Sequence, residues 1–586
     1  MTVSRITVEK DALVAMRDGV RLATDVYRPA DAHDAPVPAL VQRTPYDKEL
    51  SVFRNYTLEV MQAVRAGYAV VVQDVRGRYA SEGDFAPFAD DGGDGADTIA
   101  WVRAQPWCSG AVGMFGASYY GATQWRAAAA AGDALGAIAP GVTSADFHDG
   151  WAYRGGAFQL GVVRTWILGF MATGELVRRM GAGDADAAER FGALVQAIDD
   201  GGFARTPLSG AELPGDLAPY YDEWLAHPTR DAHWGALEPA DRYASVTAPA
   251  LLLGGWYDMF LGGTLASWGA LRREGGSAAA RRPRLVIGPW AHGNVSGSYA
   301  DRSYGFLAHH LATDPTGLHL RWFDRHLRGI ENGIDDEPPV RIFVMGADEW
   351  RDAEDWPPPG TRFERWHLHG GGGANTAHGD GGLSTEAPAS DEPDDVYTYD
   401  PRDPVPTVGG ATFLPGAAVS ANAGPRDQAP LAARADVLTY ASEPLERDLE
   451  VIGPVELVLF ASSSARDTDF TAKLIDVHPD GRAELLTDGI LRARYRDSLA
   501  APQPLEPGRA YELRIDLSAT ANVFRAGHRI RLDVSSSNFP RFDRNTNTGG
   551  AIASESLDDA VVAVNRVHHD AARPSHLLLP VQPVRS

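Results

Sequence analysis

Short apolar runs alternate with segments of helical spacing through the first third of the chain, and this alternation sets the expected fold. "PALVQRTPYDK" carries an apolar run at Ala39–Val41, and "YAVVVQDVRG" carries a stronger one at Tyr68–Val72. Between them, residues 58–66 have helical spacing. "DTIAWVRAQP" reads as a helix, and "VGMF" follows it as another buried strand. Two later runs, "PALLLGG" (Pro249–Gly255) and "PRLVIG" (Pro283–Gly288), each precede a polar loop. Apolar strands that alternate with helices predict a parallel sheet covered on both faces.

Two regions break the pattern. From Phe147 to Pro239 helical spacing dominates, as in "GDADAAERFGALVQAIDD", with little strand signal. An insertion at the C-terminal ends of sheet strands sits over the binding crevice, so this one is a candidate lid. After Trp356, a glycine-rich loop ("HGGGGANTAHGDGG") leads into short β-branched or alternating runs, among them "EVIGPVELVLFAS", "RAYELRIDLSA" and "HRIRLDVSSS". Their regular spacing between turn signals predicts an antiparallel jelly roll. The expected organisation is therefore an α/β domain over 1–145 and 241–355, a helical lid over 146–240, and a jelly-roll β-sandwich over 356–586.

Composition narrows the function. The chain has 586 residues, enough for several domains, and 44% hydrophobic content. A net charge of −24 excludes a nucleic-acid partner or an anionic membrane surface as the expectation. The one cysteine, Cys108, allows no intramolecular disulfide and reads as a buried small hydrophobe. No apolar leader segment opens the sequence, and a cytoplasmic location is expected.

The candidate chemistry starts at "MFGASYYGATQW". Ser118 lies between Gly116 and Gly121, after an apolar strand and before a helix, which is the setting of a nucleophile elbow. The second glycine falls one place later than in Gly-x-Ser-x-Gly. A serine hydroxyl needs a base to take its proton, and the base needs an orienting carboxylate. The two later strands end in Asp258 ("LLLGGWYDMF") and His292 ("LVIGPWAHGN"), in the Ser–Asp–His order of α/β-hydrolases. Either residue alone would read as a turn or core residue; the three together at strand ends read as a triad. An oxyanion needs preorganised donors. The backbone N–H of Tyr119 is one candidate, and the phenol of Tyr46, in the "RTPYDK" loop, is the other.

These segments resemble a known family. "TPYDK", "DVRGRYASEGDF", "GMFGASYYG", "GGWYD" and "GPWAH", with "FDRHLRG", "TDFTAKLIDVHPDGRA" and "SSSNFPRFDRNTNTGG" further on, are similar to the bacterial cocaine esterase group. That group of hydrolases (CocE/NonD) lies in the X-prolyl dipeptidyl peptidase family, beside glutaryl acylases and α-amino-acid ester hydrolases. The resemblance covers nearly the whole chain. It implies an α/β-hydrolase domain with a helical lid and a C-terminal jelly roll. It also implies Ser118 as nucleophile, Asp258 as acid, His292 as base and Tyr46 as oxyanion donor. By the same resemblance Trp151, Trp166 and Phe260 line an acyl pocket, with Phe413 and Leu414 from the third domain. A pocket glutamine has no clean match, and Asn55 is its nearest counterpart.

Two other signals carry less. "DDGGDGAD" (Asp90–Asp97) has calcium-type ligands without EF-hand spacing, and reads as a solvated loop leading into a helix. His367, His369 and His378 flank or lie in the glycine-rich loop, a poor metal cage. No metal or cofactor is expected. The expectation is a serine carboxylesterase that cleaves small-molecule esters with hydrophobic or aromatic acyl groups; a homodimer is one open arrangement. An aminopeptidase or amino-acid ester hydrolase is the rival within the fold. A glycan-binding protein is the rival outside it.

Overall fold

The computed structural model describes residues 5–50, 57–199, 202–210, 215–238, 240–376, 379–415 and 421–583. Among them, a ten-stranded sheet forms the first domain, in the order β1-β2-β4-β3-β5-β6-β9-β10-β11-β12. Its centre is parallel: β3 (Val37–Thr44), β4 (Ala69–Asp74), β5 (Cys108–Ala117), β6 (Ala137–Gly141), then β9 (Leu251–Tyr257), β10 (Arg284–Ala291) and β11 (Val340–Val344). β7 (Tyr153–Arg154) and β8 (Ala157–Phe158) form a small hairpin in the insertion.

The expectation of a parallel sheet holds for these central strands and fails at the edges. β1 (Ile6–Ala15) and β2 (Arg21–Pro29) form a hairpin whose second strand pairs antiparallel with β4, and β12 (Glu349–Ala353) runs antiparallel to β11. The edge strands β1 and β12 lack the continuous apolar run of a strand covered on both faces; exposed Val8 and Leu13 interleave with charged residues in β1.

Alternation along each central strand builds two cores. Val70 and Val72 pack with α1 (Val60–Arg65) and the later helix Pro315–Arg328 through Val64, Trp322 and Phe323. Val71 points the other way, into the core that holds Ile99 of α2 (Asp91–Arg103) and Trp125 of α3 (Tyr119–Ala131). Period-two side chains on a strand buried on both faces require this division. Cys108 is buried in the same core as Val71, and burial raises its thiol pKa.

The Asp90–Asp97 run is not a solvated loop. α2 begins at Asp91, and Asp91 and Asp94 are buried. Arg43 donates to Asp91 at 3.0 Å, and Arg76 donates to Asp94 at 2.7 Å. Buried charges persist where they are paired, and the partners come from β3 and from the turn after β4, out of view in the local sequence.

The insertion is largely helical. α4 (Leu160–Trp166) continues through a π-helical stretch, Ile167–Ala172, into α5 (Thr173–Gly181). α6 (Ala187–Asp199), α7 (Tyr220–Ala226) and α8 (Ala232–Leu237) complete it. The span Leu160–Gly181 is long and apolar enough to cross a bilayer, yet most of its apolar stretch is packed inside the fold. Its Trp166 reaches Tyr46 and Tyr119, beside the Ser118 turn.

From Arg362 onward the chain is an all-β jelly-roll domain. Its longest strands, Leu449–Ser463 and Tyr511–Phe524, pair antiparallel. It docks on both other regions: Val523 N–H donates to Met345 O, and Leu208 N–H of the insertion donates to Ala553 O.

Candidate active site

Ser118 sits at the turn from β5 into α3 with φ 60° and ψ −126°. That conformation costs an L-residue of order 1–3 kcal/mol and is held by its surroundings. The backbone N–H of Ser118 donates to Gly141 O at 2.9 Å, tying the turn to β6. Gly116, at φ 130°, leaves room for Tyr120: a Cβ there would lie 2.5 Å from Tyr120 Cβ. Gly121 lets α3 approach the loop after β6, since its Cβ would lie 2.6 Å from Thr143 Cγ2. The displaced second glycine is thereby explained. The position two after the serine belongs to Tyr120, and the close approach falls one residue later.

The three residues read as a triad meet. His292 Nε2 lies 3.1 Å from Ser118 Oγ, and His292 Nδ1 lies 2.9 Å from Asp258 Oδ2. The other carboxylate oxygen of Asp258 accepts the Phe260 N–H at 2.8 Å. With Nδ1–H directed at a carboxylate, Nε2 is left as the acceptor facing the serine. Asp258 is only 2% exposed, so its orientation is set by protein groups.

Tyr46 is buried beside the nucleophile, within hydrogen-bonding reach of Ser118. Trp166 Nε1–H donates to its phenolic oxygen at 2.9 Å. Burial raises the Tyr46 pKa well above the ordinary tyrosine range, so the phenol keeps its proton. Its loop is anchored twice: Tyr46 N–H donates to Thr44 Oγ1 at 2.9 Å, and Arg78 donates to the Pro45 carbonyl at 3.0 Å. The same guanidinium reaches Met171 O in the lid at 3.3 Å.

Tyr119 stands at the first position of α3, where a backbone N–H has no intrahelical acceptor. Its phenol points elsewhere, donating to Asp91 at 2.8 Å and accepting from Phe88 N–H at 3.0 Å.

Aromatic groups enclose these residues. Trp151 packs on Phe260 at 4.3 Å between ring centroids, and Trp166 stacks on Tyr119 at 6.0 Å. Phe260 and Phe413 both meet the His292 ring edge to face, at 5.3 and 5.1 Å. Trp151, Trp166, Phe260 and Phe413 share one buried cluster with Tyr46 and Tyr119. Leu414 is buried against the lid: a Cβ on Gly161 would lie 2.7 Å from Leu414 Cδ2. Asn55 lies outside the described residues. Sequence reasoning missed Phe170, which sits 6.1 Å from Tyr46 and 6.0 Å from Phe413. Its spacing of four from Trp166 on a helical segment was the available signal.

Two acidic residues near the pocket in sequence are committed elsewhere. Asp146 pairs with Arg230, and its other oxygen accepts Asp149 N–H at 2.8 Å. Asp149 accepts Gly155 N–H at 2.7 Å and lies beside Arg154.

An α/β-hydrolase sheet with a serine, a histidine and an aspartate in hydrogen-bonded series defines the class as a serine hydrolase. Residues 18–294 match the X-Pro dipeptidyl-peptidase (S15 family) model, and residues 332–578 match that of the X-Pro dipeptidyl-peptidase C-terminal non-catalytic domain. The chain belongs to the X-Pro dipeptidyl-peptidase (S15) family. It is 46% identical to the cocaine esterase of Rhodococcus sp. (strain MB1 Bresler) over 98% of both chains. Among solved structures, it is similar to an aminopeptidase from a marine sediment Thaumarchaeota archaeon (TM-score 0.81, 27% identity, 99% of this chain and 97% of that one). It is also similar to an α-amino acid ester hydrolase (TM-score 0.78, 26% identity, 99% and 97%). The protein is a cocaine esterase-like serine hydrolase.

Proposed function

We propose that this hydrolase cleaves carboxylic esters with hydrophobic or aromatic acyl groups through an acyl-enzyme. The observation that carries the reading is the series Asp258–His292–Ser118, with the Tyr46 phenol within hydrogen-bonding reach of the serine. Ser118 Oγ attacks the ester carbonyl while His292 Nε2 takes its proton and passes it to the departing alcohol. Asp258 holds the imidazole and stabilises its charged form. The Tyr46 O–H and the Tyr119 N–H receive the developing oxyanion. Water then attacks the acyl-enzyme by the same route and releases the acid.

The acyl preference rests on the walls. Trp151, Trp166, Phe260 and Phe413 offer aromatic surface, worth about 25 cal/mol per Å² of apolar area covered. Reading an ammonium group would need a carboxylate in that pocket, because a buried unpaired cation is costly. Asp146 and Asp149 are already engaged, and "DMFLGGTLASW" after Asp258 supplies no further acid. The free, buried Cys108 fits a reducing compartment, and we place the enzyme in the cytoplasm.

The test compares phenylacetate methyl ester with phenylglycine methyl ester at a pH where the amine is protonated. The des-amino ester is expected to have the higher kcat/KM. A tenfold advantage for the amine, about 1.4 kcal/mol, would replace the esterase reading with an aminoacyl one.

A further inference from the structure

Away from the triad, the fold brings two histidines and a carboxylate together where the jelly roll meets the hydrolase domain. Asp476 lies near the end of the strand Asp469–Val477, and His478 opens the turn that follows it. His528 comes from the neighbouring turn, between the strands Tyr511–Phe524 and Arg529–Ser535. Ligand-type atoms from the three residues all lie within 4.8 Å of one another. His528 Nδ1 is 2.8 Å from Asp476 Oδ1, and the two imidazole centroids are 4.4 Å apart.

Both turns are fixed by their own backbones. His478 N–H donates to Arg482 O, and His528 N–H donates to Arg525 O. The turns also touch, since a Cβ at Gly527 would lie 3.7 Å from Pro479 Cγ. Asp476 is buried, whereas both imidazoles keep some solvent exposure. The donor set is held in place and remains reachable.

The surrounding charges single out Asp476. It faces Glu484 directly across the strand pair, and opposed carboxylates repel. Glu484 is compensated by Arg482 at 2.9 Å and Arg302 at 3.9 Å, with the Tyr304 hydroxyl at 3.3 Å. Asp476 has no arginine: its ion pair among the described residues is with His528, and Asn522 donates to it at 3.4 Å.

We propose that Asp476, His478 and His528 form a binding site for a divalent transition-metal ion, with zinc the best match. Two imidazole nitrogens and one carboxylate oxygen suit zinc, and a water completes a tetrahedron. Arg482 must give way, because its Nη2 lies 3.0 Å and 3.1 Å from the His478 ring nitrogens, and Glu484 Oε2 lies 3.3 Å from His478 Nε2. The Arg482 side chain is partly exposed and stays tethered to Glu484 through Nη1. A bound ion would clip the two turns together. The clip reaches the hydrolase domain through Glu484 and Tyr304 to Tyr257, whose hydroxyl lies 2.9 Å from that of Tyr304. The ion takes no part in ester cleavage.

The test titrates chelator-treated full-length protein with zinc chloride by calorimetry, and with cobalt(II) by visible absorption. One ion per chain and a tetrahedral cobalt band are expected, with a zinc-dependent rise in Tm. His478→Gln with His528→Gln should weaken zinc binding on the order of 100-fold and remove the Tm rise. Asp476→Asn, which preserves size, should weaken it as well. Metal-free ester turnover should match wild type in each variant, which reports that the fold is intact. His367→Gln with His576→Gln, a histidine pair elsewhere in the same domain, should leave zinc affinity unchanged. Failure of the intact protein to bind zinc, or equal affinity in the folded His478/His528 variant, would overturn the proposal.

Discussion

The indole N–H of Trp166 donates to the phenolic oxygen of Tyr46, so a tryptophan of the lid orients the phenol that we propose as the oxyanion donor. The phenol also lies within hydrogen-bonding reach of Ser118. On the proposed mechanism, this one hydrogen bond joins lid placement to transition-state stabilisation.

Removing the bond without the ring tests the coupling. Tyr46→Phe should lower kcat by roughly 10²–10³, the scale of one oxyanion donor. Trp166→Phe should lower kcat about tenfold, the value of one hydrogen bond of ~1.4 kcal/mol, with a smaller change in KM. The double variant should be no worse than Tyr46→Phe alone. Additive losses in steady-state kinetics would show that Trp166 acts only as a pocket wall.

Ser118 and His292 should behave as a unit. Ser118→Ala and His292→Ala should each cost about 10⁴ or more in kcat, and the pair little further. Two look-alike series make labelling informative: Ser384–His369–Glu392 (3.1 and 3.1 Å) and Ser462–His568–Asp394 (3.0 and 2.7 Å). Neither serine occupies a strand-to-helix turn; Ser384 ends one strand and Ser462 lies within another. A serine-reactive phosphonate should therefore modify the chain once, at Ser118, as read by peptide mass spectrometry.

The Ser–Asp–His order was legible because each residue follows a strand of continuous apolar residues, a signal that is local in sequence. The aromatic wall was legible only through the family resemblance, since Trp151 and Trp166 would look the same as core residues of any helical lid. What escaped was long-range charge pairing. Asp91 and Asp94 carry a surface-like local pattern, yet Arg43 and Arg76 bury them. The roles of Asp146 and Asp149 likewise depend on Arg230 and Gly155. The N-terminal strand β1 gave no apolar run because it lies at an edge.

The displaced glycine can be tested by filling its space. Gly121→Ala would place a methyl 2.6 Å from Thr143 Cγ2, so α3 must move from the loop after β6. The expected cost is about 1–3 kcal/mol of stability, with a loss of kcat as the Ser118 turn shifts. Thr143→Ser removes the clashing methyl and should restore part of both. Thermal melts and ester kinetics on the single and double variants would check this; an unchanged Tm in Gly121→Ala would show that the approach is not tight.

Asp74, at the end of β4, should make stability depend on pH. Its carboxyl is buried and pushed up to about 7, chiefly by desolvation. The Lys48 N–H, donating to Oδ1 at 2.7 Å, and the Lys48 charge, with Nζ 4.0 Å from Oδ2, offset this only in part. A carboxyl raised above its unfolded value of 3.8 binds more protons in the folded state. Its contribution is therefore present below about pH 4 and is lost as pH rises toward 7. Asp74→Asn keeps an acceptor for Lys48 N–H and cannot ionise. The variant should gain stability relative to wild type between pH 5 and pH 8, by at most about 3 kcal/mol. Chemical denaturation at both pH values measures the difference. A gap between wild type and variant that does not change with pH would mean that Asp74 is ionised throughout, with Lys48 as its full counter-charge.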